Sequence, residues 1–122
     1  MVEARPITVN QFLFTQEREF FVVCTSEGFR VHSTATGMPT KIICNDIPNG
    51  TKLAQTYKRT DLVFFVGSGF NADFPSSKLV IWSMSQRAPV AEGFFQSSII
   101  DLQVIGDWVV VTDQTKVSVF DF

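Results

Sequence analysis

Apolar residues fall in short runs along the chain, with polar breaks between them. Phe12-Leu13-Phe14 is followed by Phe20-Phe21-Val22-Val23-Cys24, Phe29-Arg30-Val31-His32 and Ile42-Ile43-Cys44. The next are Leu62-Val63-Phe64-Phe65-Val66, Leu79-Val80-Ile81-Trp82 and Ile99-Ile100-Asp101-Leu102. Trp108-Val109-Val110-Val111-Thr112 and Val117-Ser118-Val119-Phe120 complete the series. Each run has strand length and is rich in β-branched or aromatic residues. No dozen-residue stretch holds an apolar i, i+3, i+4 stripe, so the pattern predicts an all-β chain. Ser26-Glu27-Gly28 and Asp113-Gln114-Thr115 occupy equivalent hairpin positions, Ile47-Pro48-Asn49-Gly50 is a strong break, and Gly106-Asp107 joins two further strands.

The runs repeat. The most apolar strands begin at Phe20, Leu62 and Trp108, 42 and 46 residues apart. That period is close to the 40–45 residues of a four-stranded WD-type propeller blade. Within each unit an amphipathic strand is followed by a continuous apolar one, which the reading places with both faces buried. A half-buried third strand comes next. The expected architecture is a partial β-propeller in residues 1–122. Blade one spans about 7–44, blade two about 51–95, and an incomplete blade three about 98–122. Propellers close with about 4–8 blades, so the expectation is a fragment of a longer protein or half of an assembly. Uncovered sheet edges then predict self-association of the isolated chain.

Composition narrows the function classes. Of 122 residues, 45% are apolar and 18% charged, enough for a core rather than a disordered tail. Ten basic against twelve acidic residues give a net charge of −2, which argues against a nucleic-acid binder. Cys24, Cys44 and His32 are too few for a Cys/His zinc site. No cofactor is expected. No apolar run has signal-peptide or membrane-span length, so the default expectation is the cytosol with reduced thiols.

Gly67-Ser68-Gly69-Phe70-Asn71-Ala72 fits a G-x-G-x-x-A dinucleotide fingerprint, but a phosphate needs a helix directly after the glycines and a strand is expected there. His32 has no nucleophile elbow to serve and reads as a hydrogen-bonded structural histidine. Cys24 and Cys44 read as small core residues. Asp101, Asp107, Asp113 and Asp121 lack calcium-loop spacing and read as turn and edge residues. Trp82 and Trp108 are expected at corresponding depths, packing between blades. Lys58-Arg59 stands at a turn of blade two, a solvated pair able to touch anionic lipid. The expectation is a non-enzyme.

Three stretches carry a family resemblance. Phe20 to His32 resembles the first blade of the PROPPINs, where a run like VGTSDGFRIY is typical. Leu62 to Trp82 resembles their second blade: an apolar strand, a Gly-containing loop with a Phe-Pro step, then Lys-Leu-Val-Ile-Trp. Phe94 to Phe120 is similar to the third. The resemblance implies a seven-bladed propeller of autophagosome formation that binds phosphatidylinositol 3-phosphate and phosphatidylinositol 3,5-bisphosphate. It would be a scaffold that is cytoplasmic and peripheral to membranes. The family's Phe-Arg-Arg-Gly lipid motif lies beyond the third blade, and this chain has no Arg-Arg pair. Lipid binding is therefore implied only through blades absent here. In the family a blade-two loop engages an autophagy lipid-transfer protein. The matching segment is Ser68 to Lys78, where Phe70, Phe74, Pro75 and Lys78 are the expected partner contacts. Ser76 stands where several members carry a basic residue. The alternative is a generic WD-repeat interaction scaffold with no lipid function.

Overall fold

The computed structural model describes residues 9–14, 20–33, 40–57, 61–70 and 72–122. Among them the chain is built of strands and turns, without a helix. The first sheet holds β1 (Val9–Phe14), β2 (Phe20–Thr25), β3 (Phe29–Ser33) and β4 (Thr40–Cys44). The second holds β5 (Thr51–Thr56), β6 (Leu62–Gly67), β7 (Lys78–Ser83) and β8 (Ala88–Phe94). The third holds β9 (Ile99–Ile105), β10 (Trp108–Asp113) and β11 (Val117–Asp121). Each sheet is an antiparallel meander in chain order. This is a partial propeller, with two four-stranded blades and an incomplete third.

Local chemistry explains the hairpins. At the end of β2 the Thr25 hydroxyl oxygen accepts from the N–H groups of Glu27 and Gly28, at 3.2 and 3.1 Å. At the end of β10 an Asp113 carboxylate oxygen accepts from the N–H groups of Thr115 and Lys116, at 2.7 and 2.9 Å. Both side chains close a tight turn by replacing backbone partners. Between sheets one and two the chain reverses through Asn49 and Gly50, both left-handed at φ 65° and 77°. A Cβ on Gly50 would stand 2.0 Å from the Thr25 carbonyl oxygen, so the site needs glycine for space as well as conformation. The Thr51 hydroxyl then donates to the Gly28 carbonyl at 2.6 Å and ties the second sheet to the first sheet's turn.

Two cores hold the stack. Between the first and second sheets Val22, Cys24, Phe29 and Val31 pack with Val63, Phe65, Val80 and Trp82. Between the second and third, Leu53, Phe64, Val66 and Leu79 meet Ile99, Leu102, Val109 and Val111. Val63 to Gly67 of β6 are therefore buried without alternation. The same two-faced burial expected for β10 is not observed. Its residues alternate, with Val109, Val111 and Asp113 buried while Trp108 is 52% exposed. Among the described residues no sheet covers the other side of β10, so Trp82 at 5% exposure and Trp108 do not share a depth. The sheets meet along β5, which lies against β2 and β1 on one side and β9 on the other.

Candidate functional site

The first and third sheets join their second and third strands by a short, side-chain-capped turn. At the same place the second sheet inserts residues 68–77. Its described residues are seated on the blade. Phe74 folds back so closely that a Cβ on Gly67 would lie 2.1 Å from the Phe74 carbonyl oxygen. The Phe74 ring packs on buried Phe65, centroids 5.6 Å apart, at the edge of the first core. The Lys78 N–H donates to the Pro75 carbonyl at 3.2 Å and closes the base of the loop. Ile99 and Phe95 donate their N–H groups to the carbonyls of Ser76 (2.8 Å) and Ser77 (2.9 Å), which fastens the loop to the start of the third sheet. The Ser76 and Ser98 hydroxyls meet at the same junction.

Lys78 is buried, and its charge is satisfied locally. Its Nζ lies 2.9 Å from a Glu92 carboxylate oxygen and donates to the Asp73 carbonyl at 3.0 Å. The Phe74 and Phe94 rings flank it at 5.7 and 5.6 Å. Such a cation, desolvated and ringed, is held in place. Of the expected contacts, Phe70 alone projects fully into solvent, at 84% exposure beyond the left-handed Gly69. Pro75 is half-buried at the base. Lys58 and Arg59 lie outside the described residues.

Two features escaped the sequence reading. Phe94 is exposed beside Lys78. Beyond Glu92 an apolar groove of about 220 Å³ runs between the second and third sheets, lined by Phe64, Leu79, Ile81, Phe95, Phe120 and Phe122 among others. The adjacent Phe94-Phe95 pair was the available signal, because neighbours in a strand point to opposite faces and one of the two must leave the core.

The remaining candidates lie in strands and turns. The segment after Gly67-Ser68-Gly69 leads through the Phe74 bridge into β7, not into a helix, so the fingerprint lacks its phosphate-binding element. His32 stacks on Phe21, ring centroids 5.0 Å apart and 13° from parallel. Both cysteines are free and buried, and burial pushes the Cys24 thiol up to about 11 against a partly opposing bond to Thr51. Asp113 is held below the usual carboxylate range, first by the backbone N–H of Thr115 and then by its hydroxyl, in keeping with its turn role.

No family model matches the chain. Over 103 residues, 84% of its length, the chain is 28% identical to autophagy-related protein 18e of Arabidopsis thaliana. Over 121 residues it is 29% identical to SVP1-like protein 2 of Pichia angusta. It spans 28% and 34% of those relatives, about a third of their length. Among solved structures, Hsv2 of Kluyveromyces lactis superimposes with a TM-score of 0.79 over 96% of this chain and 33% of its own, at 18% identity. KlAtg21 in complex with the coiled coil of AgAtg16 matches with a TM-score of 0.70 over 93% of this chain and 36% of its own, at 21% identity. The resemblance read from the sequence is thus borne out twice: the chain is PROPPIN-like in sequence and has the fold of about a third of a PROPPIN propeller.

Proposed function

We propose that this chain is part of a non-catalytic scaffold propeller of autophagy, and that its blade-two loop takes a protein partner. The observation that carries the proposal is Phe70, 84% exposed at the tip of a loop whose base is clamped by Phe74 and Lys78. A large apolar side chain on a pre-ordered loop loses little freedom on binding. Phe70 is the anchor. Phe74 and Pro75 form the rim, and Lys78 holds the base through Glu92 rather than reaching for the partner. The relative KlAtg21 is known in complex with a coiled coil, which supports protein partnering by this fold. For the loop itself, the resemblance points to the autophagy lipid-transfer protein. Phosphoinositide contact is assigned to blades beyond these residues. The location follows as cytoplasmic and peripheral to membranes.

The test is binding of the purified chain to the lipid-transfer protein of the same cell, measured by interferometry. Phe70→Ser is expected to weaken it at least tenfold, about the effect of losing one anchor of 1.4 kcal/mol or more. Equal binding by the folded variant would make the loop a connector only. Vesicles containing phosphatidylinositol 3-phosphate are expected not to retain the chain selectively. Selective retention that disappears in Lys58→Ala/Arg59→Ala would overturn the lipid assignment.

A further inference from the structure

The turn between the first and second sheets carries a reactive pair. Of the asparagines Asn10, Asn45, Asn49 and Asn71, only Asn49 is followed by glycine. In an Asn-Gly pair the glycine nitrogen, unhindered by a side chain, is able to attack the asparagine side-chain carbonyl carbon. Asn49 is exposed and lines an open recess of about 290 Å³ with Glu27 and Asp46, so water reaches its amide. Gly50 is the opposite case. It is buried, its N–H donates to the Ile47 carbonyl at 2.9 Å, and its carbonyl accepts from the Ser68 N–H at 3.2 Å. With Pro48 second and left-handed Asn49 third, residues 47–50 have the pattern of a type II turn. Both ends of that turn are pinned. Ile47 is fully buried in the first core and donates its N–H to the Glu27 carbonyl at 3.3 Å. Beyond Gly50, the Thr51 hydroxyl holds the Gly28 carbonyl at 2.6 Å.

We propose that Asn49-Gly50 is a self-modification site gated by the seam between the first two sheets: the folded turn withholds the nucleophile, and the reaction runs only from the opened turn. In the reaction the Gly50 nitrogen loses its proton and bonds to Asn49 Cγ. The Cγ–Nδ2 bond breaks, and ammonia leaves with the proton, closing a five-membered succinimide. Water then opens the ring. Opening at one carbonyl leaves aspartate in a normal chain. Opening at the other leaves isoaspartate, whose main chain runs through Cβ and Cγ and is one carbon longer. The net exchange is one water in and one ammonia out. Because the Gly50 N–H is buried and bonded to Ile47, its deprotonation waits on local opening. The lengthened chain does not fit back. A Cβ on Gly50 would already stand 2.0 Å from the Thr25 carbonyl oxygen and 2.7 Å from Ser26 Cα, so Gly50 has no room to shift toward the first sheet. A shift the other way gives up its bond to Ile47. The turn thereby keeps a permanent record of seam opening, whatever partner the blade-two loop takes.

The wild-type chain answers first, without any variant. It is incubated at mildly alkaline pH, and Asn49 is followed by mass spectrometry of the digested protein, with isoaspartate resolved by chromatography. The chain unfolded in guanidinium and a synthetic peptide of residues 47–52 set the ungated rate. The native chain is expected to react at least about thirtyfold more slowly. That factor should match the hydrogen-exchange protection of the Gly50 N–H, because both processes need the same opened turn. Reaction of the native chain at the peptide's rate overturns the gate, as does slow reaction beside an unprotected Gly50 N–H. No reaction in the unfolded chain overturns the site. Thr51→Val removes the hydroxyl bond to Gly28 with little change of shape. It is expected to raise the native rate severalfold and to leave the guanidinium rate unchanged, with circular dichroism to verify the fold. A native rate equal to wild type would mean that the seam is not the gate. The isoaspartate product is expected to unfold at lower urea than Asn49→Asp, which carries the same charge in a normal chain. Equal midpoints overturn the one-way step.

Discussion

Replacing Gly67 by alanine tests whether the blade-two loop is seated as described. Gly67 ends β6 outside the left-handed region, so alanine fits its backbone. Space is the obstacle. The new Cβ would lie 2.1 Å from the Phe74 carbonyl oxygen and 2.6 Å from the Phe74 Cβ, where ordinary contact begins near 3.4 Å. The loop must lift by about an ångström, and the Phe74 ring loses part of its contact with Phe65. Overpacking of this kind costs about 1–3 kcal/mol. Relief of the glycine's chain entropy offsets roughly 0.5 of that. The control is Gly93→Ala, where the nearest atom to a Cβ is a Phe95 ring carbon at 3.8 Å, and which is expected to be neutral or slightly stabilising. Urea unfolding supplies both values. In a Phe74→Ala background the ring contact is already gone, so the Gly67→Ala penalty should shrink. Amide hydrogen exchange adds a second readout: the N–H groups of Lys78 and Ile99, which bond the loop carbonyls of Pro75 and Ser76, should exchange faster in Gly67→Ala. If Gly67→Ala matches Gly93→Ala in stability and those amides stay protected, the loop does not rest on the β6 terminus and the clamped-anchor reasoning fails.

Two further outcomes follow from the cores. Burial raises the Cys24 thiol from 9.0 to about 11, so the fold favours the neutral form; its stabilisation is complete below pH 9 and is lost between about pH 9 and 11, worth about 2–3 kcal/mol in all. Subtracting the profile of Cys24→Ala from that of wild type cancels the opposing lowered Lys52 and isolates this slope, and parallel profiles would refute it. Trp82→Ala is expected to cost about 3–5 kcal/mol in denaturant unfolding, as for any large core aromatic, whereas Trp108→Ala should change monomer stability by less than about 1 kcal/mol; equal losses would mean that the outer face of the third sheet is covered within the monomer.

The two tryptophans also show how far periodicity reads. Strand positions, the three-unit repeat and the turn at Ser26-Glu27-Gly28 were legible because β-branched runs and glycine act through local backbone preference. Cys24 was legible as core because it ends such a run. What a run does not encode is whether a neighbour exists on each side. Val63-Phe64-Phe65-Val66 and Val109-Val110-Val111 read alike, yet the first is covered on both faces and the second on one. Coverage is a property of the stack, decided by the sheet that comes next. The loop repeats the lesson on a smaller scale. Phe70 and Phe74 read as equivalent anchors in a polar segment. The fold separates them because Gly67 leaves room for Phe74 to turn back onto Phe65, while the left-handed Gly69 directs the chain bearing Phe70 outward. Lys78 followed the same logic: a lone cation in a loop reads as a free charge, but β7 pairs it opposite Phe94 and beside Glu92, which turns it inward. Where recognition sits on this chain is therefore set by which apolar side chains the blade geometry leaves without a partner.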